Sequence, residues 1–364
     1  MEKVMNPTSS KLVPLLVRGL TLPTTLSRFG IDHPIACDLA KCENCKASPL
    51  ALEAVRRHVE GRMLSDHWES QPEDLRQHLA EIYDVDVKQV FLVSGGMGGV
   101  QYAFGIFTQP RTRVGLLRPD FPFWWFAAKA RTGAFELKSG TFPFAHSVES
   151  IVQFVHEKRI QFLVLANPNA ALGTKKSLDD IESLVKSAPN TVFIIDESDA
   201  IETDSSAHLT SRYENMCVIG SFSKWLGLAG LRVGFMVVPP RYTEHFGNFI
   251  NPVELTSYGM VAASAVLGHI AFQRETQERV QANLRLLESA CVGTRYQIVP
   301  GSSCFASYLW TDEGPEDPCV VLADHGVQLA PAAFFGLDRG GRISLSDPPL
   351  IRAAADIIRA IAPR

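Results

Sequence analysis

Short, strongly apolar segments separated by helical stretches constrain this 364-residue chain more than any other feature. They are rich in β-branched residues and most end in a polar residue or a glycine, which is typical of buried strands. The predicted strands span residues 89–96, 113–119, 160–169, 191–198, 216–224 and 233–239. Continuous apolar strands with helices between them predict a mostly parallel sheet that is covered on both faces. In such sheets ligands bind beyond the carboxyl ends of the strands.

Helical patterns precede and follow the predicted sheet. Ser48 and Pro49 suit the N-cap and first position of a helix over 48–61, and a second helix is predicted over 72–84. A long helical region over 256–292 then leads to short strand-like runs and a last helix. The C-terminal part therefore resembles a compact α+β domain of its own.

Length and composition suit a large domain accompanied by a smaller one, because 46% of the residues are hydrophobic. We predict an irregular N-terminal arm over 1–40, a large domain over 41–250 and a small domain over 251–364. The net charge of −4 offers no basic surface for nucleic acid or an anionic membrane, and no apolar run reaches about 18 residues. We expect a soluble cytoplasmic protein with neither partner.

Cysteine spacing raises the question of a metal site. Cys37, Cys42 and Cys45 cluster near the start of the chain, with His33 just upstream, and contain one CxxC pair. Such a pair is compatible with zinc, but a zinc site needs four ligands and no second pair completes it. Because isolated cysteines are common in apolar cores, we expect no metal.

Polar groups follow several of the predicted strands. Asn169, Asp196 and Lys224 each come at the end of an apolar run, and the glycine-rich stretch "SGGMGG" (94–99) closes another. Backbone N–H groups of a glycine-rich turn at a helix N-terminus can hold a phosphate. Asp196 ends a strongly apolar strand, so its carboxylate needs a cationic partner. Taken singly, each feature also fits a tight turn, a helix cap or a solvated lysine.

Pyridoxal phosphate is a cofactor that needs all of these groups together. It requires a lysine amine for a Schiff base, an acid that keeps its ring nitrogen protonated, a phosphate cup and a flat side chain against the ring. The stretch "SFSKWLGLAGLRVGF" (221–235) resembles the S-x-S-K…G-x-R-x-G signature of the class I/II aminotransferases, nearest the histidinol-phosphate aminotransferase branch. The resemblance runs from about residue 35 to the C-terminus.

This resemblance implies a fold-type I pyridoxal-phosphate transferase, in which a three-layer α/β large domain is joined to a small α+β domain. Lys224 would be the catalytic Schiff-base lysine, and Asp196 would pair with the pyridine nitrogen. The phosphate would be held by three side chains and three backbone N–H groups, those of Ser221, Ser223, Arg232, Gly96, Met97 and Gly98. The family's active sites borrow residues across a subunit interface, so the resemblance also implies a homodimer.

Further positions match the family in the ring-stacking and substrate-binding elements. Phe121 in "RPDFPFWWF" stands where the family has its ring-stacking aromatic residue. Arg342 in "GRISLS" would grip the substrate carboxylate, or another anionic group, in a bidentate fork. Asn44 lies in register with an N-terminal family element and would contact the substrate.

Three departures from the family pattern concern the chemistry. Ala170 stands where the family has an asparagine that bonds the cofactor's ring hydroxyl, and Asn169 comes one residue earlier. Asp199 replaces a tyrosine that donates to the same hydroxyl. His67 or Trp68 stands where the family has a tyrosine that reaches the neighbouring subunit's phosphate.

We therefore hypothesise that Asp199 either shapes a specialised substrate pocket or moves an extra proton. In the alternative, Asp199 turns away and Asn169 or water fills the gap.

Transamination of an amino acid or related amine is the leading prediction. Decarboxylation, elimination or cyclisation in a specialised pathway remains the alternative, followed by a non-catalytic cofactor-binding relative. The stretch "SFSK" also fits the S-x-x-K of serine acyl-enzymes, but the companion S-D-N and K-T-G motifs do not occur. A nicotinamide dehydrogenase would need G-x-G-x-x-G, which "SGGMGG" does not supply.

Overall fold

The computed structural model describes residues 37–60, 71–131, 133–201, 204–300 and 304–361. Its strands are β1 (Cys37–Asp38), β2 (Val90–Val93), β3 (Val114–Arg118), β4 (Ala134–Lys138), β5 (Phe162–Ala166), β6 (Val192–Asp196), β7 (Met216–Ser221), β8 (Gly234–Val237), β9 (Gln297–Ile298), β10 (Ala306–Trp310), β11 (Val327–Gln328), β12 (Ala330–Pro331) and β13 (Gly341–Ser344).

Its helices are α1 (Pro49–Glu60), α2 (Glu73–Tyr83), α3 (Gly95–Phe107), α4 (Phe123–Arg131), α5 (Val148–Lys158), α6 (Leu178–Ser187), α7 (Thr243–Phe249), α8 (Ser257–Val266), α9 (Ile270–Cys291), α10 (Pro318–Asp324), α11 (Ala332–Phe335) and α12 (Pro348–Ile361). Short 3-10 turns lie at Val87–Gln89, Ala207–Ser211, Ala229–Leu231 and Pro240–Tyr242. None of the described helices has the length and apolarity that crossing a bilayer requires.

A seven-stranded sheet with the order β2-β8-β7-β6-β5-β3-β4 forms the centre of the larger part. Strands β3 to β7 run parallel, and β8 is antiparallel to both of its neighbours, β2 and β7. The predicted α/β fold with a mostly parallel sheet is therefore confirmed. Strand β4 was absent from the predicted set because its residues are half-buried at the sheet edge and give no continuous apolar run.

Both faces of this sheet are covered, as the unbroken apolar strands predict. In β5, Leu163 and Leu165 belong to the core on one face, whereas Phe162 and Val164 belong to the core on the other. Side chains alternate between faces along a strand, so a strand buried on both sides must be apolar at every position. Because β3 to β7 run parallel, their carboxyl ends lie at one rim of the sheet, where the polar residues that follow them are brought together.

The first and second predicted helices form as α1 and α2. Ser48 precedes α1 and its carbonyl accepts from Leu52 N–H at 3.2 Å, while its hydroxyl lies 3.3 Å from His269 Nδ1. The predicted long helix over 256–292 is instead two helices, α8 and α9. Gly268 has φ of 78° between them, a left-handed conformation that ends helices and favours glycine.

The C-terminal part contains an antiparallel sheet of order β12-β13-β10-β9, packed against α9 and α12. The N-terminal segment crosses to this part: β1 pairs in parallel with β11, and Leu39 O accepts from Ser344 N–H at 2.9 Å. Met260 and Ala263 of α8 are buried in the core of the larger part. The domain boundary at residue 251 stays a prediction, and this packing favours grouping 257–266 with the larger domain.

Candidate active site

A cavity of about 550 Å³ lies at the carboxyl ends of β5, β6 and β7, beside the N-terminus of α3. Strands of a parallel sheet deliver their terminal residues to this rim, which explains how positions distant in sequence meet. Most of the predicted site residues line the cavity: Asn44, Gly96, Met97, Phe121, Asp196, Asp199, Ser221, Ser223, Lys224, Arg232 and Arg342.

Lys224 follows β7 and is half-buried in the cavity wall. Its neighbours Phe222 and Trp225 are buried, so the chain is anchored on both sides of the lysine. Lys224 Nζ donates to the carbonyl of Cys42, and the side-chain amide of Asn44 donates to the carbonyl of Lys224 at 3.1 Å. The amine is therefore held inside the cavity rather than extended into solvent.

Asp196 ends β6, and the residue is buried, with only 7% of its surface exposed. The pKa of this carboxyl is raised to about 6, chiefly by burial and also by the charge of Asp199, although hydrogen bonds from Ser198 and the charge of Lys224 act in the opposite direction. The backbone N–H of Ser198 donates to Asp196 Oδ1 at 3.0 Å. A buried carboxylate of this kind is stabilised by a cationic N–H partner.

The turn between β2 and α3 supplies an anion cradle. The first three residues of α3, Gly95 to Met97, have N–H groups without an intrahelical partner, as at every helix N-terminus. Gly98 is different, because its N–H donates to Ser94 O at 3.1 Å. This bond occupies the Gly98 N–H and does not support the predicted phosphate contact there, whereas the contacts of Gly96 and Met97 stay predictions.

Two glycines of this turn are required by their neighbours. Gly95 has φ of 62°, and a Cβ there would collide with the guanidinium of Arg232. A Cβ at Gly96 would collide with Ser198 Oγ. Arg232 is therefore packed directly over the N-terminus of α3, where its charge complements a bound anion.

Hydroxyl groups complete the cradle on the β7 side. Ser221 Oγ donates to Ser223 Oγ at 2.9 Å and accepts from the backbone N–H of Ser223 at 3.1 Å. Both serines line the cavity together with Arg232. Phe121, also in the lining, packs edge-on against Trp124 at 5.9 Å between ring centroids.

Asn169 does not reach the cavity. Its side-chain amide donates to Pro119 O at 2.9 Å, and its Oδ1 accepts from Ala171 and Leu172 N–H, both at 3.0 Å. The carboxamide is thus used within its own turn, and Asn169 lines a separate cavity. The structure corrects the prediction that Asn169 replaces the family's cofactor-binding asparagine. Ala170 occupies the cavity wall instead.

Asp199 is among the residues that line the cavity, and its contact with the cofactor or substrate stays a prediction. It is 9% exposed, and its Oδ1 is buried without a hydrogen-bond partner in the described part of the chain. The indole N–H of Trp225 donates to the backbone carbonyl of Asp199 at 2.6 Å. Trp225 also packs on Phe305 at 4.6 Å between centroids, so this wall is rigidly supported.

Arg342 enters the cavity from β13 and is 8% exposed. Its Nη2 donates to Ala40 O at 2.7 Å and its Nη1 to Ala170 O at 3.4 Å, while the Phe335 ring lies 5.0 Å from the guanidinium carbon. Its Nε is buried and has no hydrogen-bond partner within the described ranges. The guanidinium therefore keeps donor capacity for an anion.

Three contributors were missed by the sequence patterns. Cys42 supplies its carbonyl to Lys224, Ser198 supports Asp196, and Gly227 lets the segment at Lys46 and Ala47 approach. Gly227 has φ of 72°, and a Cβ there would meet Lys46 O. The one sequence signal for the close approach of Lys46 and Ala47 to Gly227 was the glycine-rich sequence that follows Lys224.

Two further predictions concern His67 and Trp68, and the cysteine cluster near the start of the chain. His67 and Trp68 lie outside the described residues. Cys37 and Cys42 are buried in the apolar core of the C-terminal part, whereas Cys45 is exposed and donates its thiol to Ser346 O at 3.1 Å. Among the residues that the structure describes, no cluster of three or more His, Cys, Asp or Glu side chains is arranged to hold a metal.

Comparison with known families decides the assignment. The sequence model of "Aminotransferase class I and II" matches residues 38–358. The chain belongs to this aminotransferase family. It is 28% identical over 256 residues to a histidinol-phosphate aminotransferase from Halorubrum lacusprofundi, which covers 68% of this chain and 69% of that protein.

Solved structures of an aminotransferase and of a decarboxylase show the same fold. The histidinol-phosphate aminotransferase of Sinorhizobium meliloti, in complex with pyridoxal-5'-phosphate, superposes with a TM-score of 0.81 at 17% identity and covers 99% of this chain and 98% of that one. The L-threonine-O-3-phosphate decarboxylase of Porphyromonas gingivalis superposes with a TM-score of 0.70 at 18% identity, covering 88% of this chain and 100% of that chain. The predicted fold-type I architecture is confirmed.

This aminotransferase is an enzyme that depends on pyridoxal phosphate, and its cavity fits that cofactor on three grounds. The N-terminus of α3, two serines and Arg232 form a cradle for a phosphate. Among the described residues no cation forms an ion pair with the buried carboxyl of Asp196, and a protonated pyridine nitrogen would supply this partner. Lys224 presents an amine to the same space, and Phe121 offers an aromatic ring in its wall.

Proposed function

We propose that this aminotransferase transfers the amino group of an amino acid or related amine to a 2-oxo acid, with Lys224 as the residue that joins the cofactor covalently. The observation that carries the proposal is the presence of Lys224, Asp196 and the phosphate cradle in one cavity. These three elements come from different strand ends, so a structural role for each separately would not bring them together.

Pyridoxal phosphate supplies an aldehyde that condenses with amines and a ring that accepts electrons from the substrate's α-carbon. Ser221, Ser223 and Arg232 would hold its phosphate together with the N–H groups of Gly95, Gly96 and Met97. The carboxylate of Asp196 would accept a hydrogen bond from the ring nitrogen and so keep that nitrogen protonated. Lys224 Nζ, once free, removes and returns the proton at the α-carbon of the substrate.

Arg342 binds the anionic end of the substrate in this proposal. Its planar guanidinium matches a carboxylate with two parallel N–H donors, and its buried Nε still lacks a partner among the described residues. The backbone carbonyls of Ala40 and Ala170, and the Phe335 ring, fix its direction. A fixed fork selects the orientation in which the α-carbon reaches Lys224.

We also propose a homodimer that works in the cytoplasm. Helix α1 exposes 46% of Leu50, 62% of Leu52 and 50% of Val59, which is more apolar surface than one helix of a monomer needs to present. All seven cysteines are free, as suits a reducing compartment. Light scattering coupled to size exclusion measures the first property, and fractionation of the producing cells measures the second.

Two measurements test the proposed activity. Reduction of the holoenzyme with borohydride, followed by peptide mass spectrometry, should place the cofactor's mass on Lys224. Incubation with a panel of amino acids and 2-oxo acids should give the exchanged amino and oxo acids. Release of carbon dioxide and an amine would favour the decarboxylase alternative instead. Unchanged substrates beside an intact cofactor spectrum would indicate a non-catalytic relative.

A further inference from the structure

Two oppositely charged side chains in the cavity wall are buried and incompletely paired. Arg342 and Asp199 are 8% and 9% exposed, and each has a buried polar atom, Nε and Oδ1 respectively, without a hydrogen-bond partner in the described chain. Neither has an ion-pair partner within 4.0 Å among the described residues. Both border the cavity that contains Lys224.

Nearby groups do not neutralise Asp199. Lys224, a cationic residue of the same cavity, donates its Nζ to the carbonyl of Cys42 instead. The carboxyl of Asp196 is a second acid rather than a partner, and the charge of Asp199 raises the pKa of Asp196. The Trp225 indole bonds the backbone carbonyl of Asp199 and leaves its carboxylate unused.

Burying an unpaired carboxylate is costly, so a site that retains one is complementary to a ligand that brings the missing charge. An ionised carboxylate only accepts hydrogen bonds, which means that the ligand group must be a donor. A cationic donor compensates the charge as well. In a cavity where Arg342 faces the anionic end of the ligand, the cationic end is its amino group.

We propose that Asp199 is a specificity-determining residue that recognises the ammonium group of the incoming substrate, while Arg342 holds its carboxylate. This inference rests on the proposed function. It makes the cavity selective for zwitterionic amino acids over carboxylic acids of the same shape that lack the amine. Asp199 is then a substrate ligand in the initial complex, which its rigid support by Trp225 and Phe305 suits.

The test measures binding without turnover. The holoenzyme is first reduced with borohydride, which attaches the cofactor permanently and stops the reaction. Isothermal titration calorimetry then compares L-phenylalanine with 3-phenylpropionate, L-leucine with 4-methylpentanoate, L-glutamate with glutarate, and L-histidine with 3-(imidazol-4-yl)propionate. For the pair whose amino acid binds most tightly, the wild type should prefer the amino acid by at least about tenfold.

Variants then assign this preference to Asp199. Asp199→Asn keeps the shape and removes the charge, so the preference should fall to about threefold or less while affinity for the carboxylic acid stays nearly unchanged. Asp199→Glu should retain part of the preference for the amino acid. The matched control is Glu43→Gln, which removes an exposed carboxylate from the same cavity lining and should keep the preference.

Several outcomes overturn the inference. A wild type without preference, an Asp199→Asn variant that keeps it, or equal loss with Glu43→Gln would each exclude specific recognition by Asp199. Circular dichroism and the retained cofactor absorbance report whether each variant is folded. The mass of the reduced Lys224 peptide separates the two proposals: its absence rejects the proposed function, whereas its presence with an unchanged preference rejects only the role of Asp199.

Discussion

The side-chain amide of Asn44 donates to the backbone carbonyl of Lys224 at 3.1 Å across 180 residues of sequence. Its Oδ1 accepts from Arg279 Nη2 at 2.7 Å and from Lys46 N–H at 3.2 Å. Together with the Cys42 carbonyl, which accepts from Lys224 Nζ, this arrangement fixes the lysine at both its backbone and its amine. The side chain of Asn44, predicted to bind substrate, thus bonds Lys224, Lys46 and Arg279, and through the first of these bonds it helps to position Lys224.

Substitution Asn44→Ala should reduce kcat by about tenfold, since the loss of these hydrogen bonds frees the backbone that carries Lys224. KM should change by a much smaller factor than kcat, and the melting temperature should stay close to that of the wild type. Steady-state kinetics, together with a pH titration of the holoenzyme's absorbance, reports whether the lysine is displaced. Asn190→Ala, at an exposed turn, is the matched control. An unchanged kcat and titration would show that Asn44 does not position the lysine.

Substitution Gly96→Ala should weaken cofactor binding by at least about tenfold, because the new Cβ collides with Ser198 Oγ and displaces the anion cradle. Equilibrium titration of the cofactor-free protein with pyridoxal phosphate measures the effect. Gly140→Ala is the control, since a Cβ there meets nothing within 4 Å. The double variant Gly96→Ala/Ser198→Ala removes the colliding hydroxyl and should recover part of the affinity. Wild-type affinity in Gly96→Ala would contradict the placement of the cradle.

Asp196→Asn should change how the stability of the cofactor-free protein depends on pH. The folded-state pKa of Asp196 is about 6, above the ordinary 3.8, so the folded protein binds more protons than the unfolded chain between these values. The wild type therefore loses up to about 3 kcal/mol from this group as the pH rises from 4 through 6. The asparagine variant lacks this loss, and should be the more stable of the two at pH 7.5 but not at pH 4.

Urea unfolding of both cofactor-free proteins at pH 4, 5, 6 and 7.5 measures this difference. Addition of pyridoxal phosphate should reverse the order at pH 7.5, because the ring nitrogen supplies the charge that Asp196 lacks. If the free energy of unfolding depends on pH in the same way for the wild type and Asp196→Asn, burial does not raise the pKa of this carboxyl in the folded protein.

Substitution Arg342→Lys should raise KM for the amino acid by at least about tenfold, because an ammonium cannot reproduce the two parallel N–H donors of a guanidinium. The lysine also loses the contact with the Phe335 ring, which lies 5.0 Å from the guanidinium carbon. Steady-state kinetics with any amino acid that the panel shows to react gives both constants. Arg359→Lys on the surface of α12 is the control. An unchanged KM would place the substrate's anion elsewhere.

The fold followed from local patterns in the sequence. Apolar runs such as 160–169 and 191–198 specify strands buried on both faces, and the intervening helices require parallel pairing. The sequence around Lys224, residues 221–235, identified the family and, through the family, the cofactor. Strand β4 and the break at Gly268 escaped prediction because edge strands and single turns carry weak local signals.

Details of the site depended on partners that sequence spacing does not reveal. Asn169 looks free in the sequence, but in the fold its carboxamide is used by Pro119, Ala171 and Leu172. Gly98 lies one residue too far into α3 for its N–H to stay unpaired. Hydrogen-bond capacity is limited, so a side chain's role depends on which groups reach it first.

The sequence alone therefore determined the sheet, the family and the identity of Lys224 and Asp196 as reactive candidates, since strand ends in a parallel sheet converge by geometry. Tertiary structure decided which groups are still available for ligands. Trp225 bonds the backbone carbonyl of Asp199, and the carbonyls of Ala40 and Ala170 accept from the guanidinium of Arg342, whereas Asp199 Oδ1 and Arg342 Nε have no hydrogen-bond partner among the described residues. Such long-range contacts are set by packing, which no local pattern encodes.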